Sequence, residues 1–272
     1  MMEQNHATQP LSNLPVRVKN ELAFRRIIVK QVETVAGCFK RIVLQGEQLQ
    51  GFSSRGFDDH TKLFFPVTAG DEVTPPTVSD DGIVWPDGPR PQSRDYTPLS
   101  FDAQTQELTL DFYLHDGGVA SQWAENAQPG DPLVIGGPRG SLIVPTTYAW
   151  QLYVCDETGL PAVKRRLADL HQSGVNPHIT LVVRAQSAQC VDYLNLGPEI
   201  NVEWIITTGQ SGAEADTAVM NKLKSLTLPD ADYFVWLTGE GQFVKTMNDH
   251  FTLTRGLDPA FVRSVAYWHH KS

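Results

Sequence analysis

The sequence pattern changes near residue 147, and this change limits the folds available to the chain. Up to about Pro145, short segments rich in Val, Ile, Leu, Phe and Thr are separated by Gly, Pro and Asp, as in "RRIIVKQVETV", "FKRIVLQG" and "ELTLDFYLH". Many short strands joined by turns are typical of an antiparallel β-barrel or sandwich. In the third segment Leu108, Leu110 and Phe112 alternate with other residues, which predicts a strand with one buried face.

After this point, apolar segments alternate with amphipathic ones. "WQLYVCDE", "HITLVVRA", "VEWIITT" and "DYFVWLTGE" are typical of buried strands, and "LPAVKRRLADLHQSG", "EADTAVMNKLKSL" and "QFVKTMNDHFTLTRG" of helices. This alternation favours a parallel sheet covered by helices. We therefore expect a flexible tail at residues 1–17, an antiparallel β-barrel domain at 18–146 and an α/β domain with a parallel sheet at 147–272.

Composition excludes several classes of partner and ligand. The formal net charge is -9, which disfavours nucleic acid and anionic membrane surfaces as partners. No apolar run is long enough to cross a bilayer, and the first residues lack the pattern of a signal peptide, so we expect a cytoplasmic protein. The three cysteines are far apart and show no C-x-x-C spacing, so no zinc or iron-sulfur site is predicted.

The segment "SRDYTP" has the chemistry of a nucleotide-binding strand. In an extended chain Arg94 and Tyr96 point to one face, and Asp95 and Thr97 to the other. A guanidinium suits a pyrophosphate, a phenol offers a ring for stacking, and a threonine can hydrogen bond to a ring nitrogen. By itself this segment is weak evidence, because an arginine and a tyrosine on one strand face more often belong to an ordinary exposed strand.

A second segment, "HDGGVASQW", places Gly117 and Gly118 in a turn before a short helix that opens at Ser121. The N–H groups at such a helix start can bind a phosphate, although a plain N-capped helix is the simpler interpretation of this segment alone. The sequence contains no G-x-x-x-x-G-K-[ST], G-x-G-x-x-G, H-E-x-x-H or G-x-S-x-G motif. This argues against a P-loop enzyme, a metalloprotease and an α/β-hydrolase.

Together with "FDDHTKLFFP", "GGPRGS", "LYVCDETGLPAVKRRL", "LTGEG" and "AYWHH", the two segments resemble the siderophore-interacting protein family. The resemblance runs from about residue 18 to the C-terminus. It implies a ferredoxin-reductase-like fold, with a flavin-binding β-barrel followed by an α/β domain. It also implies FAD as cofactor, NAD(P)H as electron donor, and reduction of ferric siderophores from Fe(III) to Fe(II) to release iron.

The resemblance also implies roles for individual residues. Arg94 is expected at the flavin phosphates, Tyr96 against the isoalloxazine ring and Thr97 near its reactive edge. No acid–base catalytic residue is expected, since the flavin transfers the electrons. The candidate FAD-binding residues are Arg94, Asp95, Tyr96, Thr97, His115, Gly118, Val119, Ala120, Ser121 and Trp268. For Trp268, packing of the last strand is an alternative of equal weight.

Four residues are candidates for binding NAD(P)H: Thr158, Gly159, Arg184 and Lys245. The neighbouring Asp156 and Glu157 are unfavourable for a phosphate, and ordinary surface charges explain Arg184 and Lys245 about as well. The donor, whether NADH, NADPH or a reduced ferredoxin, is therefore left open.

Lys62, Arg139 and His60 are the candidate contacts for an anionic ferric siderophore, with a catecholate-type chelate as one possibility. A net-acidic protein needs such a local cationic patch to hold an anionic substrate. We expect a monomer. Two other functions stay open: a general NAD(P)H:flavin or quinone-type oxidoreductase on the same fold, and a siderophore-binding protein without catalysis.

Overall fold

The computed structural model describes residues 13–68, 71–80, 82–197 and 200–270. Contacts divide the chain into two compact units, one formed mainly by Arg17–Ile143 and the other mainly by the chain from Val144 onward. Of the predicted tail at residues 1–17, positions 1–12 lie outside the described residues, and Val16 and Arg17 already belong to a strand. The predicted domain limits at residues 18–146 and 147–272 stay predictions.

The first unit is built almost entirely from antiparallel strands. Its elements are β1 (Val16–Lys19), β2 (Phe24–Val35), β3 (Phe39–Gln45), β4 (Thr61–Phe65), β5 (Thr77–Ser79), β6 (Gly82–Val84), β7 (Gln92–Tyr96), β8 (Pro98–Asp102), β9 (Glu107–Tyr113), α1 (Val119–Asn126), β10 (Pro132–Gly136) and β11 (Gly140–Ile143). Seven strands form a curled sheet in the order β7-β4-β10-β2-β3-β9-β8, with β1-β11 and β5-β6 as separate pairs. The predicted antiparallel β architecture is confirmed.

Strand β9 shows how the sequence pattern produces the core of this unit. Leu108, Leu110 and Phe112 are fully buried, as their alternation predicts. Asp111, on the other face, is also buried, which the pattern does not predict. Arg41 lies directly opposite on β3 and binds both carboxylate oxygens at 2.8 Å, so the buried charge is compensated by a bidentate ion pair.

The proline-rich segment before β7 contains regular structure. Strands β5 and β6 form a short hairpin within the excursion predicted on the surface, and the side chains of Val78, Ile83 and Val84 on it are exposed. The segment returns to the main sheet at β7, which pairs with β4.

The second unit is a five-stranded parallel sheet with helices. Its elements are β12 (Trp150–Cys155), α2 (Leu160–Ser173), β13 (His178–Ala185), β14 (Asn201–Ile206), α3 (Gly212–Ser225), β15 (Tyr233–Glu240), α4 (Gly241–Asp249) and β16 (Val262–Trp268). Every pairing is parallel, in the order β14-β13-β12-β15-β16. The predicted α/β fold is confirmed, and the chain order reverses direction between β12 and β15, where open α/β sheets commonly bind ligands.

Within the described ranges, no helix has both the length and the apolar character needed to span a membrane. The same part of the chain contains no group of three or more His, Cys, Asp or Glu side chains arranged to hold a metal ion.

The burial pattern of β9 predicts that substitutions at two adjacent residues have very different effects on the free energy of unfolding. Leu110→Ala should lower the free energy of unfolding by about 2–5 kcal/mol, because it leaves a cavity in a fully buried position. Thr109→Ala, on the half-buried face of the same strand, should cost less than about 1 kcal/mol. Urea denaturation of both variants tests this, and equal losses would show that the buried face has been assigned wrongly.

Candidate functional site

The register between β4 and β7 assigns the side chains of "SRDYTP" to two faces. Tyr96 pairs with Thr61, Asp95 with Lys62, and Arg94 with Leu63. Paired residues share a face of the sheet, and successive residues alternate. Arg94 and Tyr96 therefore lie on the face of Leu63, whereas Asp95 lies on the opposite face with Lys62.

Tyr96 links the two segments that the sequence identifies as flavin-binding. Its half-buried ring lies 4.3 Å, centroid to centroid, from the ring of Phe112 in the core. Phe112 in turn lies 5.6 Å from Trp123 on α1, which follows the "HDGGVAS" turn. Burial raises the pKa of the Tyr96 phenol, partly offset by Arg94, so the ring is neutral at physiological pH. The structure thus brings the two segments together around Phe112.

The turn before α1 has the features of an anion site. Gly117 has φ +75°, and a Cβ atom on Gly118 would lie only 2.6 Å from Cε1 of His115, so both positions favour glycine. Gly118 caps α1, and no described side chain caps this helix start by hydrogen bonding. The first N–H groups of a helix have no partner within it, so this end suits a phosphate.

Ser121, Val119 and Ala120 occupy the first turn of α1. The buried Ser121 hydroxyl donates to the carbonyl of Tyr113 at 3.3 Å and accepts from the N–H of His115 at 3.2 Å. The Ser121 side chain therefore ties the helix to the end of β9, and a contact of this residue with FAD would come from its backbone.

The face opposite Tyr96 holds a cavity of about 330 Å³. Its base is a row of neighbours across four strands: Phe24 on β2, Gly136 on β10, Lys62 on β4 and Asp95 on β7. A Cβ atom on Gly136 would lie 2.8 Å from the Phe24 ring, so this position favours glycine. The lining residues are Leu22, Phe24, His60, Lys62, Phe64, Ile83, Trp85, Arg90, Pro91, Ser93, Asp95, Gly136 and Arg139.

All three predicted substrate residues, His60, Lys62 and Arg139, line this cavity. Lys62 forms an exposed ion pair with Asp95 at 2.8 Å. Asp95, predicted with the flavin residues, thus lies beside the substrate candidates on the other face of the strand from Tyr96. Whether it also contacts FAD stays a prediction.

Sequence reasoning missed Arg90 and Trp85, which also line the cavity. Both lie in the "WPDGPRPQ" stretch, whose high proline content predicts only a surface excursion. The sequence feature that could have identified them is a tryptophan and an arginine close together in a proline-rich stretch, just before the Arg-x-Tyr-Thr segment.

In the second unit, a half-buried acid, Asp156, follows the carboxyl end of β12. The Asp156 carboxylate accepts hydrogen bonds from the Thr158 N–H at 2.9 Å and from Nε1 of Trp268 at 2.7 Å. A Cβ atom on Gly239, where φ is +136°, would lie 3.1 Å from this carboxylate. Burial raises the pKa of Asp156, opposed by the hydrogen bonds from Thr158 and Trp268 and by Arg184. The turn at the sheet switch point is therefore occupied by an acid and its donors.

The four NAD(P)H candidates have structural partners of their own. Thr158 donates its N–H to Asp156, which caps the turn, and Gly159 packs so closely that a Cβ atom would lie 2.6 Å from Cys155 Cβ and from Thr238 Cγ2. Arg184 pairs with Asp216 at 2.5 Å, and Lys245 pairs with Asp249 one helical turn away at 2.6 Å. These contacts account for all four residues, and their binding of NAD(P)H stays a prediction. Trp268 is held at this edge by Asp156, and its contact with the flavin also stays a prediction.

The folds of the two units recur in known flavoenzymes. A ferredoxin reductase in carbazole 1,9a-dioxygenase superposes with a TM-score of 0.63 at 14% identity, covering 91% of this chain and 70% of that one. At this identity the likeness concerns the fold alone, which is that of the ferredoxin reductases.

Residues 28–142 match the siderophore-interacting FAD-binding domain, and residues 148–271 match the siderophore-interacting protein domain. A protein of Escherichia coli K12 named NADPH-dependent ferric-chelate reductase is 51% identical over 94% of this chain and 97% of its own length. The crystal structure of a siderophore utilization protein from T. fusca superposes with a TM-score of 0.85 at 30% identity, covering 95% and 97% of the two chains. The chain belongs to the siderophore-interacting protein family, which confirms the resemblance.

The raised pKa of Asp156 predicts a pH-dependent contribution to stability. An acid whose pKa is higher in the folded protein stabilises the fold below its unfolded value, and loses that contribution as the pH rises through the folded value. The stability of Asp156→Asn relative to the parent should therefore increase as the pH rises above about 4, the ordinary value of an aspartate. Urea denaturation at a series of pH values measures this difference.

Asp249→Asn is the control for this prediction. Pairing with Lys245 lowers the pKa of Asp249, so its contribution is lost as the pH falls below about 4, and the sign of the change is opposite. A pH-independent difference between the parent and Asp156→Asn would show that Asp156 does not titrate above its ordinary range.

Proposed function

We propose that this protein is an FAD-dependent ferric-siderophore reductase that uses NAD(P)H as electron donor and releases iron by reducing Fe(III) to Fe(II). The observation that carries the proposal is the β4–β7 ladder, which has Arg94 and Tyr96 on one face and a basic cavity on the other. The name of the Escherichia coli relative, NADPH-dependent ferric-chelate reductase, supports the same activity.

The residues fit FAD at two points. The uncapped start of α1 suits its phosphates, with Arg94 as the cationic partner, and the Tyr96 ring with Thr97 suits the isoalloxazine. His115 and Gly118 shape the turn that precedes the helix, while Val119, Ala120 and Ser121 offer backbone N–H groups. Binding of FAD by these residues is our proposal for the first unit.

Bound FAD would accept an electron pair as hydride from a nicotinamide and deliver single electrons to iron, a conversion that protein side chains cannot perform. The protein holds the flavin and gathers the chelate. No acid or base is needed at the iron. Because Fe(II) is a weaker partner than Fe(III) for hard oxygen ligands, reduction itself loosens the metal.

The cavity favours an anionic chelate. Lys62, Arg90 and Arg139 supply three positive charges against the single carboxylate of Asp95 in the cavity lining, in a protein whose net charge is -9. Phe24, Phe64 and Trp85 add aromatic walls. Catecholate siderophores combine negative charge with aromatic rings, so we propose this type as the substrate.

The donor is the least constrained part of the proposal. Asp156 repels a pyrophosphate at the turn after β12, so NAD(P)H must bind through other groups, with Arg184 and Lys245 as candidates once released from their acidic partners. We further propose that the protein acts as a cytoplasmic monomer.

Replacing Arg94 tests the flavin site. Arg94→Ala should weaken FAD binding about 10-fold or more, because it removes a charge-assisted contact worth about 1.5–3 kcal/mol at the phosphates. The FAD content of purified protein and titration of the apoprotein with FAD measure this loss. Arg55→Ala, an exposed arginine of the same unit, is the control. Equal FAD affinity in both variants would overturn the assignment of Arg94.

Replacing Lys62 and Arg139 tests the substrate site separately. Lys62→Ala and Arg139→Ala should each lower kcat/KM for an anionic ferric chelate about 3–10-fold, because each removes one attractive charge at the cavity. The visible flavin spectrum should stay unchanged. Anaerobic reoxidation of the reduced protein by ferric chelates measures the effect, and parent rates in both variants would disprove a role for the basic patch.

The same assay separates the two alternative functions. A general flavin or quinone reductase would show no preference for ferric chelates over other acceptors. A binding protein without catalysis would bind chelate but take up no flavin.

A further inference from the structure

The β5–β6 hairpin and the chain that follows it form one wall of the cavity. Ile83 at the end of the hairpin, then Trp85, Arg90 and Pro91, all line it, facing residues from β2, β4, β7 and β10. This wall comes from an excursion inserted between two neighbouring strands, so it can vary in sequence without disturbing the sheet below.

Trp85 is fixed by the aromatic side chains of the sheet. Its ring meets Phe64 edge-on at 5.2 Å and Phe24 edge-on at 6.4 Å, and these two phenylalanines are 5.9 Å apart. Edge-to-face contacts of this kind hold a ring in one orientation. Trp85 is half-buried, so part of it remains accessible to a ligand.

Arg90 lies over this ring. Its Cζ atom is 5.7 Å from the centre of the Trp85 ring, within cation–π distance, and the side chain is exposed. The pair therefore presents a guanidinium cation over an aromatic ring at the edge of the cavity.

The charges in the cavity are not equally available to a ligand. Lys62 is already paired with Asp95 at 2.8 Å. Arg90 and Arg139 have no ion-pair partner among the residues that the structure describes, so theirs are the uncompensated charges at this site. Arg90 is the one that also offers an aromatic neighbour.

The size of the cavity limits what enters it. About 330 Å³ is at the lower end of small-molecule pockets, enough for one aromatic arm of a chelate but not for a whole hexadentate complex. An arm between aromatic walls would keep its metal-bound oxygens near the basic rim.

We propose that Trp85 and Arg90 determine substrate specificity, selecting ferric chelates whose arms are anionic aromatic rings over chelates that lack either the charge or the ring. This inference rests on the proposed function and assigns specificity to two residues of the hairpin wall. Arg90 recognises the negative charge, and Trp85 recognises the ring.

Three ferric chelates separate charge from aromaticity: a tris(catecholate), which has both, ferric citrate, which is anionic without rings, and a tris(hydroxamate), which has neither. Binding of their redox-inert gallium(III) forms to the FAD-loaded protein, followed by calorimetry, measures recognition without electron transfer. Reoxidation of the reduced protein by the ferric forms gives kcat/KM in parallel.

Trp85→Ala should weaken tris(catecholate) binding about 3–10-fold and leave citrate within about 2-fold, because only the aromatic contact is lost. Arg90→Ala should weaken both anionic chelates about 3–10-fold, with less effect at high salt, and leave the hydroxamate unchanged. Arg90→Lys keeps the charge but not the planar group, so it should restore citrate binding more fully than catecholate binding. Val78→Ala on the same hairpin and Arg55→Ala outside the cavity are matched controls that should change nothing.

Equal effects of Trp85→Ala and Arg90→Ala on all three chelates, or no effect on any, would overturn the specificity role. If the unaltered protein neither binds nor reduces any of the chelates, the proposed function itself is wrong. These two failures are distinguished by the behaviour of the unaltered protein.

Discussion

The antiparallel pairing of β4 with β7 is the constraint on which the rest of the candidate site depends. Because side chains alternate along a strand, Arg94 and Tyr96 share one face while Lys62 and Asp95 share the other. A shift of one residue would place the basic cavity residues among the apolar core and expose Leu63. The buried face of β4 thus fixes the register, and the register places the candidate flavin face and the cavity on opposite sides of the same two strands.

The positive charge available to an anionic ligand is concentrated in the cavity. A net charge of -9 gives no general attraction for anions, yet the cavity concentrates Lys62, Arg90 and Arg139 around aromatic walls. Asp95 offsets part of that charge through its ion pair with Lys62. Elsewhere the buried carboxylate of Asp111 is paired with Arg41, which compensates for the free-energy cost of removing that charge from water.

The second unit has the parallel sheet and switch point of a nucleotide-binding fold, but the turn after β12 carries an acid where such folds commonly have glycines. Where a glycine-rich loop would cradle a phosphate, Asp156 accepts hydrogen bonds from Thr158 and Trp268. Glu240 caps α4 at the neighbouring strand end, accepting from the N–H of Phe243 at 2.9 Å. The fold alone therefore does not determine how this unit would bind a nicotinamide nucleotide. Because this edge of the sheet is acidic, the pyrophosphate of the nucleotide would need contacts other than a glycine-rich loop.

The sequence by itself determined the two architectures, because hydrophobic alternation in "ELTLDFYLH" and continuous apolar runs such as "HITLVVRA" are local signals of one-sided and two-sided burial. It also identified the family, and it supplied both candidate flavin segments, through short contiguous motifs. Only the tertiary structure decided that Asp95 lies with Lys62, that Arg184 pairs with Asp216, and that Asp111 is buried. It alone placed Trp85 and Arg90 in the cavity. These outcomes depend on contacts between residues far apart in the chain, and such contacts produce no periodic pattern in the sequence.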